Sequence, residues 1–272
     1  MEEIKSKEDL ILAIAKCKEI TEKNAYKDKN HACNKVVIAN KKKLDQFQCP
    51  EPFDGKIDKA EYLILSSNPA YDLKETTEKE KYTVENKMKF PCIYEKDKSI
   101  DDNYIIDFFY NRLSRYKNKT YLTNCMKIAK WVTASDDWAY SELTTKGKDE
   151  FKDEYRDKIC LAEIVHCKSN KEVGVEEACS KCAEKYLDYI LKFFCENKEG
   201  KKLYIILCGD KVINHVLDKL EIINKLNEYR AKSDVFIVKA YQPSYYGVGD
   251  KEKRKRIKNS IENQNDWFNS KH

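Results

Sequence analysis

Four short apolar runs, each leading into a polar cluster, constrain the fold of this chain more than any other feature. They are residues 61–66 (EYLILS), 159–165 (ICLAEIV), 203–208 (LYIILC) and 235–240 (VFIVKA). Each is too short for a helix and near-continuously apolar rather than alternating, which is the pattern of a strand buried on both faces. The segments around them carry apolar residues at helical spacing, over residues 10–21, 104–114, 176–194, 211–220 and 252–267. Residues 119–126 fit neither template cleanly. Strands of this kind separated by helices predict an α/β fold, with a central, mostly parallel sheet flanked by helices on both faces.

Composition fits one core under a charged skin: 41% of the 272 residues are apolar and 36% charged. Gly (7) and Pro (5) are too scarce for long flexible linkers. We therefore expect a single domain over residues 1–272, with a helical lead-in at 1–45 and a basic C-terminal helix at 251–272. No run approaches the roughly 18–20 apolar residues that span a bilayer. The charged start, Met1-Glu2-Glu3-Ile4-Lys5, lacks an apolar signal core. A cytoplasmic monomer without membrane contact is expected, and its 11 cysteines are expected to be free thiols. The net charge of +5 is mild, but residues 251–258 (KEKRKRIK) concentrate six cations against one acid. Such a run is either a solvated helix face or a phosphate-binding surface.

In open α/β sheets, ligands bind outside the carboxyl ends of the strands. Three polar clusters fall there: Ser67-Asn68-Pro69, the stretch from Glu163 to His166, and Gln242-Pro243-Ser244. Alone, these imply only an α/β protein with a ligand crevice.

Four stretches, in order, resemble the uracil-DNA glycosylase superfamily, in its branches with an Asn-Pro motif. They are Pro50-Glu51-Pro52-Phe53-Asp54-Gly55 with the following strand and Ser67-Asn68-Pro69; Ile164-Val165-His166-Cys167-Lys168; the apolar strand 203–208 with Gly209; and Gln242-Pro243-Ser244-Tyr245. The resemblance covers about residues 45–260 and implies a DNA glycosylase that flips a base and hydrolyses its N-glycosidic bond.

On that resemblance Asn68 positions the attacking water, a task suited to an amide that both donates and accepts. Gln242 stands where relatives have His. Ser66 and Ser67 replace the usual glycines beside Pro69, Ser244 completes the second motif, and Tyr71 and Phe90 are candidates to stack on the flipped base. Glu163 stands near the position where uracil readers carry Asn. An ionised carboxylate only accepts hydrogen bonds, so Glu163 would favour the amino group of a cytosine-type base over the oxygen of uracil. His166 is a further group beside the base. Tyr245 and Tyr246 follow the motif where relatives wedge the duplex open, and Lys253, Arg254, Lys255 and Arg256 are the expected phosphate contacts. One branch of the family holds an iron–sulphur cluster. Cys167, Cys179 and Cys182, with Cys33 or Cys49 as a fourth, are the candidate ligands of such a cluster or of zinc, but the family's N-terminal Cys-x-x-Cys pair is absent and no metal is expected. The substrate expected is DNA carrying a modified or damaged cytosine-type base, with phage defence a role that would fit. The alternatives are uracil or thymine mismatch repair, or a catalytically weak nucleic-acid-binding module.

Overall fold

The computed structural model describes residues 3–21, 25–39, 48–67, 101–115, 120–133, 155, 157–169, 172–196, 198, 200–210, 212–214, 224, 226–229, 231, 234–244, 247 and 249–263. The four apolar runs are strands: β2 (Tyr62–Ser66), β3 (Ile159–Glu163), β4 (Leu203–Cys208) and β5 (Val235–Ala240), preceded by the two-residue β1 (Phe53–Asp54). They form one sheet in the order β1-β3-β2-β4-β5, with β2, β4 and β5 parallel. This is the expected α/β architecture with a mostly parallel sheet. In chain order, β3 is added on one side of β2 and β4 on the other, so the direction of winding reverses at β2. That reversal is the topological switch point at which such sheets bind ligands.

The chain divides into two compact units. One comprises Met1–Ile57, Ser67–Lys117 and Ala162–Phe193; the other Asp58–Ser66, Asn118–Leu161 and Phe194–His272.

The first unit is largely helical: α1 (Lys7–Ala15), α2 (Lys18–Thr21), α3 (Asn34–Ala39), α4 (Asp102–Tyr110) and α5 (Arg112–Arg115). Then comes a long helix, α7 (Val175–Cys182), which passes through a π-helical turn (Ala183–Leu187) into α8 (Asp188–Cys195). A capping box starts α1: Asp9 N–H donates to Ser6 Oγ at 3.1 Å and Ser6 N–H to Asp9 Oδ2 at 3.0 Å. The helix predicted over residues 10–21 breaks after Ala15, where Lys16 leaves helical geometry and the Cys17 N–H turns back to Ile14 O. The break leaves Cys17 Sγ 3.5 Å from the hydroxyl of Tyr186, which lies in the π-helical turn. Gly174 starts α7 at φ 75°, and a Cβ there would stand 2.3 Å from Val36 N, so only glycine fits.

The second unit holds β2, β4, β5, α6 (Thr120–Thr133) and α9 (Asp250–Glu262). From Thr120 on, the ambiguous segment is thus the start of a helix that buries Leu122, Cys125, Met126 and Ala129. Across the sheet, Tyr62, Tyr204 and Phe236 stand in register, with ring centroids 5.3 Å apart at each step. This stacked row fixes the pairing of three strands near their amino ends. Helix α9 seats on β5 through Ile257, which is fully buried, and the Lys239 N–H donates to Ser260 Oγ at 3.0 Å. Among the described residues no helix is long and apolar enough to cross a membrane.

Candidate functional site

The sequence placed its candidates at strand ends, and the structure puts the described ones there. In the second unit, the carboxyl ends of β2, β4 and β5 carry Ser66, Gly209 and Gln242. Ser66 is buried, and its hydroxyl lies 3.2 Å from Tyr121 OH on α6. Asn124, one turn further along α6, donates to Pro243 O at 2.8 Å and pins the backbone of the Gln242-Pro243-Ser244 turn. Gly209 N–H donates to Ala240 O at 3.0 Å, and Gly209 has φ 92°. A Cβ at this position would lie 2.9 Å from Gln242 Oε1. The glycine is required twice, for its backbone conformation and for the approach of the amide. Ser244 is exposed.

In the first unit, the end of β3 leads into a buried ionic group. Glu51 bonds through Oε1 to Lys168 Nζ at 2.7 Å and through Oε2 to an Arg112 guanidinium nitrogen at 2.6 Å. The same nitrogen donates to Asp54 Oδ1 at 3.1 Å. Burial opposes the charge on Glu51, but Arg112 and Lys168 outweigh it and hold this carboxyl down at about 2. Asp54 goes the other way: burial, reinforced by the charge of Glu51, pushes it up to about 7 despite Arg112.

Glu163 is half-buried, yet its Oε2 is closed to solvent and has no hydrogen-bond partner among the described residues. Burial first, then the charges of Glu51, Asp54 and Glu172, push its carboxyl well above the usual range; Arg112 opposes them. Glu172 accepts from Ser67 Oγ at 2.7 Å while holding a positive φ of 57°, uncommon for a side-chain-bearing residue. The Ser67 carbonyl in turn accepts from Val165 N–H at 2.9 Å. Ser67 and Glu163 are thus tied to one group of charges. Chemically, that group offers one carboxyl whose protonated form, able to donate through one oxygen and accept through the other, is favoured, and a second carboxyl, Asp54, pushed up to about 7.

His166 is committed to structure. It is 2% exposed, its Nδ1 donates to Glu51 O at 2.7 Å, and Glu51 N–H returns a bond to His166 O at 2.9 Å. Burial pushes its pKa down to about 4, so the ring is neutral and positions Glu51.

Sequence reasoning quoted Glu51, Asp54 and Lys168 without giving them roles, and missed Arg112, Glu172 and Tyr121. The turn-rich segment from Pro50 to Gly55 was the available signal for the two acids. Arg112 looked like any cation on an amphipathic helix. Asn68, Pro69, Tyr71, Phe90, Tyr245 and Tyr246 lie outside the described residues. Lys253, Arg254, Lys255 and Arg256 all lie on α9, with Lys255 exposed and the other three half-buried.

The thiols group differently from the expected set. Cys17, Cys33, Cys167 and Cys182 lie within electrostatic range of one another, and Cys182 donates a hydrogen bond that holds the Cys33 thiol down at about 7. Beside them, Cys33 N–H donates to His31 Nδ1 at 3.0 Å, and His31 Nε2 donates to Glu19 at 2.9 Å. Among the described residues, no group of three or more His, Cys, Asp or Glu side chains stands in metal-holding geometry.

No protein-family model, curated protein or solved structure matches this chain.

Proposed function

We propose that this chain is a DNA N-glycosylase for a pyrimidine base, with a uracil-DNA glycosylase-like version of the parallel α/β fold. Glu163 carries the reading: a carboxyl oxygen closed to solvent and without a hydrogen-bond partner among the described residues, at the carboxyl end of a sheet strand. An unsatisfied buried oxygen costs roughly 1–3 kcal/mol, and a base edge that pairs with it recovers that cost. Gln242 over Gly209 supports the reading from the second motif.

In this proposal Asn68 orients a water whose oxygen attacks the anomeric carbon as the N-glycosidic bond breaks. The bond's electron pair leaves with the base, which ends by taking the water's proton. Glu163 reads the base edge, and Gln242 replaces the motif's usual His as a neutral donor to the leaving base. The protonation of Glu163 sets the substrate. Ionised, it accepts from the N4 amino group of a cytosine-type base; protonated, it donates to O4 of a uracil or thymine type. Its raised pKa widens the pH range over which the second reading, uracil or thymine, applies.

The test is direct. Single-stranded and duplex oligonucleotides carrying uracil, a thymine mismatch or a modified cytosine are incubated with the protein and assayed for abasic sites. Release of one base type, abolished by Asn68→Ala in a folded variant, is the expected result. No abasic sites from any substrate between about pH 5 and pH 9 would overturn the proposal.

A further inference from the structure

We propose that the groove between β5 and α9 holds one unpaired nucleotide of a DNA strand. This rests on the nucleic-acid reading above but on none of its chemistry.

The groove encloses about 490 Å³, within the roughly 300–1,000 Å³ range of small-ligand sites. On β5 and just beyond it, Lys239 and Tyr241 are two residues apart and share a face. Gln242 falls on the alternate face against Gly209, so the groove is separate from the second motif. The opposite wall is a stripe of α9 at helical spacing, Lys255, Arg256 and Asn259, continued by the C-cap Asn263. The bond from Lys239 N–H to Ser260 Oγ fixes helix against strand, so the groove is preformed.

Its chemistry matches a nucleotide group by group. The Arg256 guanidinium lies 4.3 Å from the Tyr241 ring centroid and is held there by an ion pair with Asp210. Ring and guanidinium together form a planar platform of the kind on which an unstacked base rests. Lys239 and Lys255 add charge for the phosphate, against Glu252 in the lining, while Asp210 offsets Arg256. The Asn259 amide both donates and accepts, and the Asn263 amide, which already donates to Asn259 O at 2.9 Å, keeps its oxygen as an acceptor, so together they suit any base edge and impose no sequence. A paired base offers no free face for the platform, which is why the occupant is unpaired.

The experiment is fluorescence anisotropy of labelled oligothymidine and of a labelled duplex, titrated with full-length protein over a salt series. Wild type should bind the single strand more tightly than the duplex. Tyr241→Leu keeps bulk but removes the ring, and should weaken single-strand binding about tenfold. Lys255→Gln lies on the exposed helix face, where folding tolerates it, and should reduce the salt slope by about one. Wild-type binding that neither variant changes would overturn the groove assignment while leaving the nucleic-acid reading intact, as would a preference for duplex. Failure of wild type to bind either strand form would defeat the underlying reading.

Discussion

Gln242 lies so close to Gly209 that a single added methyl carbon at 209 would come within 2.9 Å of its amide oxygen. The two residues belong to different strand ends and are 33 positions apart in the sequence. Gly209→Ala therefore meets two penalties, a left-handed backbone costing about 1–2 kcal/mol and displacement of Gln242. We expect a lower thermal midpoint and slower base release. Gln242→Ala relieves the contact, so the double variant should recover part of the stability; purely additive losses would show that the two residues are uncoupled.

Glu163 should set the pH dependence of base release. The protonated carboxyl donates to O4, so release of a uracil-type base should fall as pH rises through the raised Glu163 pKa. Glu163→Gln has no proton to lose and should flatten that limb. Identical pH profiles for the two proteins would remove Glu163 from base reading.

The buried ionic group predicts an unusual stability profile. Glu51 is depressed in the folded state to about 2, so its contribution is present above its ordinary value and lost only as pH falls toward 2. Asp54 is raised to about 7, so its contribution is present at low pH and lost as pH rises through 7; Glu163 has the same sign. Melting curves should show greater stability near about pH 5 than near about pH 8, with Asp54→Asn reducing the difference. Arg112→Met should cost about 3–5 kcal/mol, because it strips Asp54 of its cation and leaves Glu51 with Lys168 alone. A loss below about 1 kcal/mol would place this group effectively in solvent.

The basic run of α9 should contribute through phosphate contacts. Replacing Lys253, Arg254, Lys255 and Arg256 together by Ala should weaken DNA binding and flatten its salt dependence, because fewer counterions are released. An unchanged slope would return this segment to a solvated helix face.

The thiols make a separate prediction. Elemental analysis of the purified protein should find no stoichiometric iron or zinc. One cluster or ion per chain, lost on Cys167→Ser, would overturn it.

The sequence by itself determined the sheet. The runs EYLILS, LYIILC and VFIVKA became β2, β4 and β5, with at most one residue of error at an end, because a continuous apolar run of five or six residues has few places to go except a strand covered on both faces. It also located Ser66, Glu163 and Gln242 at strand ends, since polar residues that interrupt such a run mark where the strand leaves the core. The sequence could not decide what those residues meet. Arg112, Lys168, Glu51 and Asp54 come from three separate segments, and only packing brought the two cations against the two acids. Burial then split ordinary carboxyls into one held at about 2, one raised to about 7, and Glu163 pushed well above its usual range. The protonation of Glu163, on which the substrate proposal turns, is a property of that surrounding field; no single residue type or spacing encodes it.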